Sequence, residues 1–173
     1  TVTRLWTPGA DYAVTGEGYD PTGHIERGGQ RLRAEEDPVL AAALETALVC
    51  THATLRHEGH GWTMIGDPTE GALVALALKG WAPPVAQERR LAERPFSSER
   101  KRMSVLAKEA DGFRLHVKGA PEVVLERCDS WLSDGGAIAL DDETRARIHA
   151  EYEAMADDGL RVLGLATRVA GDG

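Results

Sequence analysis

The stretch RPFSSERKRMSVL, residues 94–106, sets Phe96, one of two phenylalanines in the chain, just ahead of Arg100, Lys101 and Arg102. An aromatic face beside cations can stack a purine while the charges meet phosphates, and such stacking contributes about 1–3 kcal/mol per base. The same residues also read as a core aromatic at a strand end, followed by an edge kept soluble by its charges. On these residues alone both readings stand.

VKGAPE, residues 117–122, is a second candidate. Lys118 ends an apolar alternation, Gly119 removes a side chain that would block close approach, and Pro121 opens a helix whose first N–H groups suit an anion. Physical reasoning therefore puts a phosphate here, or else only a tight strand-to-helix turn with a surface lysine. In GDPTEGAL, residues 66–73, Asp67 is a helix cap and Glu70 lies in the first turn. The helix dipole accounts for a carboxylate there, and the same carboxylate can accept a hydrogen bond from an exocyclic amine. Arg161, just past Gly159, fits either a strand-start cation or a bidentate phosphate contact. The chain has neither GKT nor GKS, its six histidines lack ligand spacing, and no nucleophile triad declares itself. A self-contained catalytic constellation is missing.

The elements that must position these residues are signalled locally. Residues 2–6 and 12–15 read as short strands between glycine and proline clusters. Asp37-Pro38 opens a helix expected to run to about His57, and Asp67-Pro68 opens another that Gly80 closes, after a strand at 62–65. From Arg90 to Lys118 the period is two. Met103, Val105 and Ala107 form one face, Phe113, Leu115 and Val117 the face of a partner strand, and EADG the hairpin turn between them. A short helix follows Pro121, a longer one after Asp141 carries Ile148, Tyr152 and Met155 on one stripe and stops at Gly159, and a last strand covers 161–169. Hairpins mixed with helices predict an α+β domain around an antiparallel sheet.

Composition narrows the partners. In 173 residues, 20 Lys and Arg face 28 Asp and Glu, a net charge of −8 that argues against nucleic acid and against an anionic membrane surface. Cys50 and Cys128 lie far apart without metal-ligand spacing, so neither a disulfide framework nor a zinc site is expected, and a reducing compartment is the simpler setting. No apolar run approaches the roughly 20 residues that span a bilayer, and no targeting segment opens the chain, which reads as soluble. Strand-like sequence at both ends reads as a domain cut from a longer protein.

Together, GDPTEGAL, RPFSSERKRMSV, VKGAPE and GLRVLGLA, in this order, resemble the nucleotide-binding (N) domain of P-type cation-transporting ATPases, the type II group that includes calcium and sodium/potassium pumps. VTGEGYDPTG near the start and VLERCDSWL after the lysine motif fit as well. The resemblance covers nearly the whole chain and implies one nucleotide-binding domain over 1–173, with a twisted antiparallel sheet flanked by helices. It implies ATP as ligand, Mg-ATP in the full pump, held so that the γ-phosphate reaches an aspartate on a separate phosphorylation domain. Phe96 matches the aromatic that stacks on adenine, and Lys118 the motif lysine of the same pocket, with Gly119 and Ala120 at its floor. Glu70 matches the acid that contacts the adenine amine, Lys101 and Met103 match residues beside the base, and Arg161 the arginine at the ribose and phosphate end. So the resemblance moves the base, rather than a phosphate, to Lys118-Gly119. Where calcium pumps often have a phosphate-binding arginine this chain has Ser98, which leaves that contact to Arg100 or Arg161. The implied partners are the phosphorylation and actuator domains of the same polypeptide, on the cytoplasmic face of a membrane that this domain does not touch. The family's DKTGT aspartate is not in the sequence. An N-domain-like interaction module without nucleotide binding is the alternative.

Overall fold

Asp37 and Asp67 each precede a proline, and each begins a helix. The Asp37 carboxylate accepts from the N–H groups of Val39 and Leu40 at 3.0 and 2.9 Å, opening α1, Pro38–Val49. Asp67 accepts from Thr69 and Glu70 at 2.8 and 3.1 Å, opening α2, Pro68–Lys79. Each cap satisfies N–H groups that the helix itself leaves without partners. The computed structural model describes residues 1–171 and divides into two units, residues 1–85 and the residues from 86 onward.

In the first unit β1 (Arg4–Thr7), β2 (Ala10–Val14), β3 (Ile25–Arg27) and β4 (Gln30–Leu32) form an antiparallel sheet in chain order. Tyr12, Val14 and Ile25 are buried, as are Leu40 and Leu44 of α1 and Leu73 and Leu76 of α2. Burying an aliphatic side chain of this size contributes about 1.5–3 kcal/mol. A hairpin of β5 (Thr54–Glu58) and β6 (Gly61–Ile65) completes the unit. Here the helix is shorter than its composition suggests: α1 stops at Val49 instead of reaching His57, and residues 54–58 pair with β6. Nothing local stops the helix, because the cross-strand pairing is tertiary. The β3–β4 hairpin adds two strands that hydrophobic alternation does not announce. Its cue is Gly28-Gly29, both with positive φ (58° and 79°), the conformation a two-residue hairpin loop requires.

The second unit begins with β7 (Arg90–Arg94), β8 (Arg102–Glu109) and β9 (Gly112–Gly119). It continues through α3 (Pro121–Leu125), a hairpin of β10 (Ser130–Ser133) and β11 (Gly136–Ala139), α4 (Asp142–Asp157) and β12 (Gly164–Ala170). The main sheet has the order β12-β9-β8-β7 and is antiparallel throughout. Met103, Val105 and Ala107 are buried along one face of β8, as the alternation predicts. On β9 the expected face is inverted. The register sets Lys118 opposite Met103 and His116 opposite Val105, so those two are buried while Phe113 is 37% exposed. Pairing with β8 decides the face, and a lysine stem is apolar enough to share it. The last strand starts at Gly164, later than expected, because residues 159–163 leave α4 first. Gly159 (φ 81°) donates to the Ala156 carbonyl and Leu160 to Met155 at 2.9 and 3.1 Å, a Schellman stop. Arg145 of α4 donates to the carbonyls of Leu125 and Cys128, both at 2.8 Å, and so ties α4 to the end of α3. The α+β class holds, with the antiparallel strands shared, among the described residues, by four sheets.

Candidate functional site

The end of β7, the start of β8, the end of β9 and the start of β12 all lie at one end of an antiparallel sheet. That geometry gathers most of the residues singled out in the sequence. Residues 95–101 link β7 to β8 as a turn in which the Lys101 N–H donates to the Ser97 carbonyl at 2.7 Å and the Arg100 N–H to the Ser97 hydroxyl at 3.2 Å. Ser97 therefore organises the turn. Its position shortly ahead of the cations, a common serine turn, was the available signal.

Phe96 projects from this turn with 59% of its surface exposed, which removes the core reading of the ring. Ser98 and Lys101 are exposed beside it. Lys101 has φ 51°, in the left-handed region that disfavours a side chain, and its ammonium lies 4.0 Å from the Glu122 carboxylate. Glu122, in the first turn of α3, was not singled out from the sequence.

Arg100 is committed to the turn itself. Its guanidinium donates to the carbonyls of Arg94 and Pro95, both at 3.3 Å, and to the Ser104 hydroxyl at 3.0 Å. With a serine at position 98, the phosphate role was expected to fall to Arg100 or Arg161. Arg100 is thus already engaged, and Arg161 lies exposed just ahead of β12.

Met103 and Lys118 are direct cross-strand partners, 1% and 7% exposed, and Leu165 pairs with Lys118 from the other side. Gly119 sits where β9 crosses the start of β8. A Cβ there would meet the Lys101 carbonyl oxygen and Arg102 Cβ at 2.5 Å, so the missing side chain makes room for the backbone of the turn. The Ala120 N–H donates to the same Lys101 carbonyl at 2.9 Å. The lysine motif and the aromatic motif are therefore fastened to each other through main-chain contacts.

Glu70 belongs to the first unit. Half-buried in the first turn of α2, it accepts the His52 N–H at 2.8 Å through Oε2, a contact that holds the segment after α1. In the same unit Asp37 is 4% exposed and receives the Tyr12 hydroxyl at 3.0 and 2.9 Å and the Arg27 guanidinium at 3.0 Å. Burial pushes its carboxyl pKa up, but the Leu40 N–H, the Tyr12 hydroxyl and Arg27 together outweigh that and hold it below the ordinary value.

The sequence profile of the family described as P-type ATPase, cytoplasmic domain N, matches residues 39–172. Over 97% of its length the chain is 38% identical to the cation-transporting ATPase pma1 of Synechocystis sp.. It is 32% identical over 97% to a calcium-transporting ATPase of Bacillus subtilis, and 36% identical over 96% to the calcium-transporting ATPase type 2C member 1 of Homo sapiens. The chain spans 19%, 19% and 18% of those relatives.

Proposed function

Because this chain belongs to the family of the P-type ATPase cytoplasmic domain N, we propose that it binds ATP through the base and presents the γ-phosphate to the phosphorylation domain of a longer cation-transporting pump. Residues 1–173 act in this reading as one nucleotide-binding domain, and the actuator and phosphorylation domains of the same polypeptide are its partners.

The observation that carries the proposal is Phe96. An aromatic ring 59% exposed, on a turn that Ser97 and Arg100 hold in place, loses burial energy it would gain in a core. A stacking base recovers that energy. Lys118, Met103, Gly119 and Ala120 stand at the same end of the sheet, and their place beside the base, with Lys101 at its edge, rests on their match to the family's motif residues. Arg161 serves the ribose and phosphate end, and Ser98 offers a neutral hydroxyl there. Glu70 is proposed as the acceptor for the adenine amino group, a role that rests on its match to the family's acid. Magnesium comes with the nucleotide as Mg-ATP, whose phosphates supply its ligands, and no residue of this chain is assigned to it.

The work of the chain is then positioning. It holds the adenine and leaves the triphosphate projecting, so that transfer waits for a partner domain to close on it. The 173-residue chain should bind ATP weakly and not turn it over. The test is calorimetric titration of the chain with ATP, set beside Phe96→Ala and Lys118→Ala. Lost binding with an unchanged circular dichroism spectrum supports the proposal. Unchanged binding in both variants would overturn the site assigned to these residues, and no ATP binding by the unaltered chain would favour an interaction module that keeps the fold without using a nucleotide.

A further inference from the structure

The alternation of β8 separates two kinds of surface. Met103 and Val105 point to the face that carries Lys118, so Arg102 and Ser104 point to the other. Arg94 of β7 pairs with Ser104 and shares that second face. The short helix α3 packs on the same side, since a Cβ at Gly164, which pairs with Gly119, would meet Val124 Cβ at 3.0 Å and Pro121 Cα at 3.2 Å. Arg127 lies just past Glu126, the C-cap of α3, and its charge is felt at Arg102.

The basic groups on this face are poorly matched. Arg102 donates once, to the Arg100 carbonyl at 3.1 Å, and its remaining guanidinium N–H groups meet no acceptor among the described residues. Arg94 is exposed and has no side-chain partner among the described residues. Arg127 donates to the Val123 carbonyl at 2.7 Å and pairs with Glu126 at 3.1 Å. The acids nearby are Glu126, Glu122, which stands 4.0 Å from Lys101, and Glu99 in the turn. Burial first, and then the charges of Arg127, Arg100 and Arg94, push the Arg102 pKa down, as expected where guanidinium groups crowd without enough anions.

We propose that this arginine face, on the side of the sheet opposite Lys118, binds a small soluble phosphate-bearing ligand of the pyrophosphate or phosphomonoester class. Guanidinium forks meet phosphate oxygens two at a time, and the ligand supplies the negative charge that the face lacks. A net charge of −8 over the whole chain favours a small anion over an extended anionic bilayer. The proposal stands apart from the base site and does not require it.

The probe is pyrophosphate, which carries no base, titrated into the 173-residue chain at constant ionic strength and followed by amide chemical shifts. Saturable shifts at residues 94, 102, 104 and 127 are expected. Arg102→Gln combined with Arg127→Gln should weaken binding about tenfold or more, and Phe96→Ala should leave it unchanged. If the double variant fails to fold, Arg94→Gln, at an exposed position without a partner among the described residues, should weaken binding on its own. Absence of saturable shifts at these residues, retention in the double variant, or loss in Phe96→Ala would overturn the assignment, the last because the phosphate would then belong to the nucleotide site. Sedimentation with phosphatidic acid vesicles should show no binding. Vesicle binding that disappears in the double variant would overturn the choice of a soluble ligand and make the source a lipid headgroup.

Discussion

Lys101 adopts φ 51°, where glycine would be the easier residue. A side chain in this region costs about 1 kcal/mol or more, so the position trades stability for an ammonium beside the Phe96 turn. Lys101→Gly is therefore expected to leave stability unchanged or raise it by up to about 1 kcal/mol while weakening ATP binding. Thermal unfolding and titration of one preparation read both effects, and a variant that loses stability would show that Lys101 is structural. Phe96→Ala should lower ATP affinity by about tenfold, from a stacking contribution of about 1–3 kcal/mol, with no loss of stability, because its ring is exposed. Both residues could be singled out from the sequence, since an aromatic beside cations is a chemical pattern. That Arg100 is spent on the carbonyls of Arg94 and Pro95 could not, because nothing in a run of charges says which one folds back onto its own turn.

Among the elements, β9 carries the most instructive difference. Phe113, Leu115 and Val117 alternate as a core face should, yet the register with β8 buries His116 and Lys118 instead. Alternation fixes which residues share a face and leaves open which face is covered. The caps of α1 and α2 were legible because Asp-Pro acts within one turn of helix, whereas the end of α1 depends on a hairpin partner. Gly119 lies between these cases. Its place in the motif was visible, but its need comes from the Lys101 carbonyl and Arg102 Cβ, both 2.5 Å from a would-be Cβ. Gly119→Ala should cost about 1–3 kcal/mol and shift the amides of residues 100–103, as read by denaturant unfolding and amide spectra. Wild-type stability in this variant would mean that the close approach is not a constraint.

At the scale of the whole molecule, each unit has its own stabilising chemistry. In the first, Asp37 caps α1 and gathers Tyr12 and Arg27. Its pKa lies lower in the folded chain than in the unfolded one, so below neutrality the unfolded chain takes up the proton first. The stabilisation is present above the ordinary carboxylate range near pH 4 and disappears as the pH falls through the folded value. Asp37→Asn should keep part of the cap and lose the ion pair, and its stability should then fall less steeply with acid than that of the wild type. Equal slopes for the two proteins in acid unfolding would exclude Asp37 as a source of the pH dependence. In the second unit the turn 95–101, the lysine motif and the start of β12 meet at one end of a sheet, and this is where the nucleotide reading is most exposed to test. The most direct measurement is an amide-resolved titration of the 173-residue chain with ATP and, in parallel, with adenosine. Base-led binding predicts saturable shifts with both ligands, concentrated at Phe96, Lys101 and Lys118–Ala120, and no release of phosphate. An unchanged spectrum at millimolar ATP would contradict it.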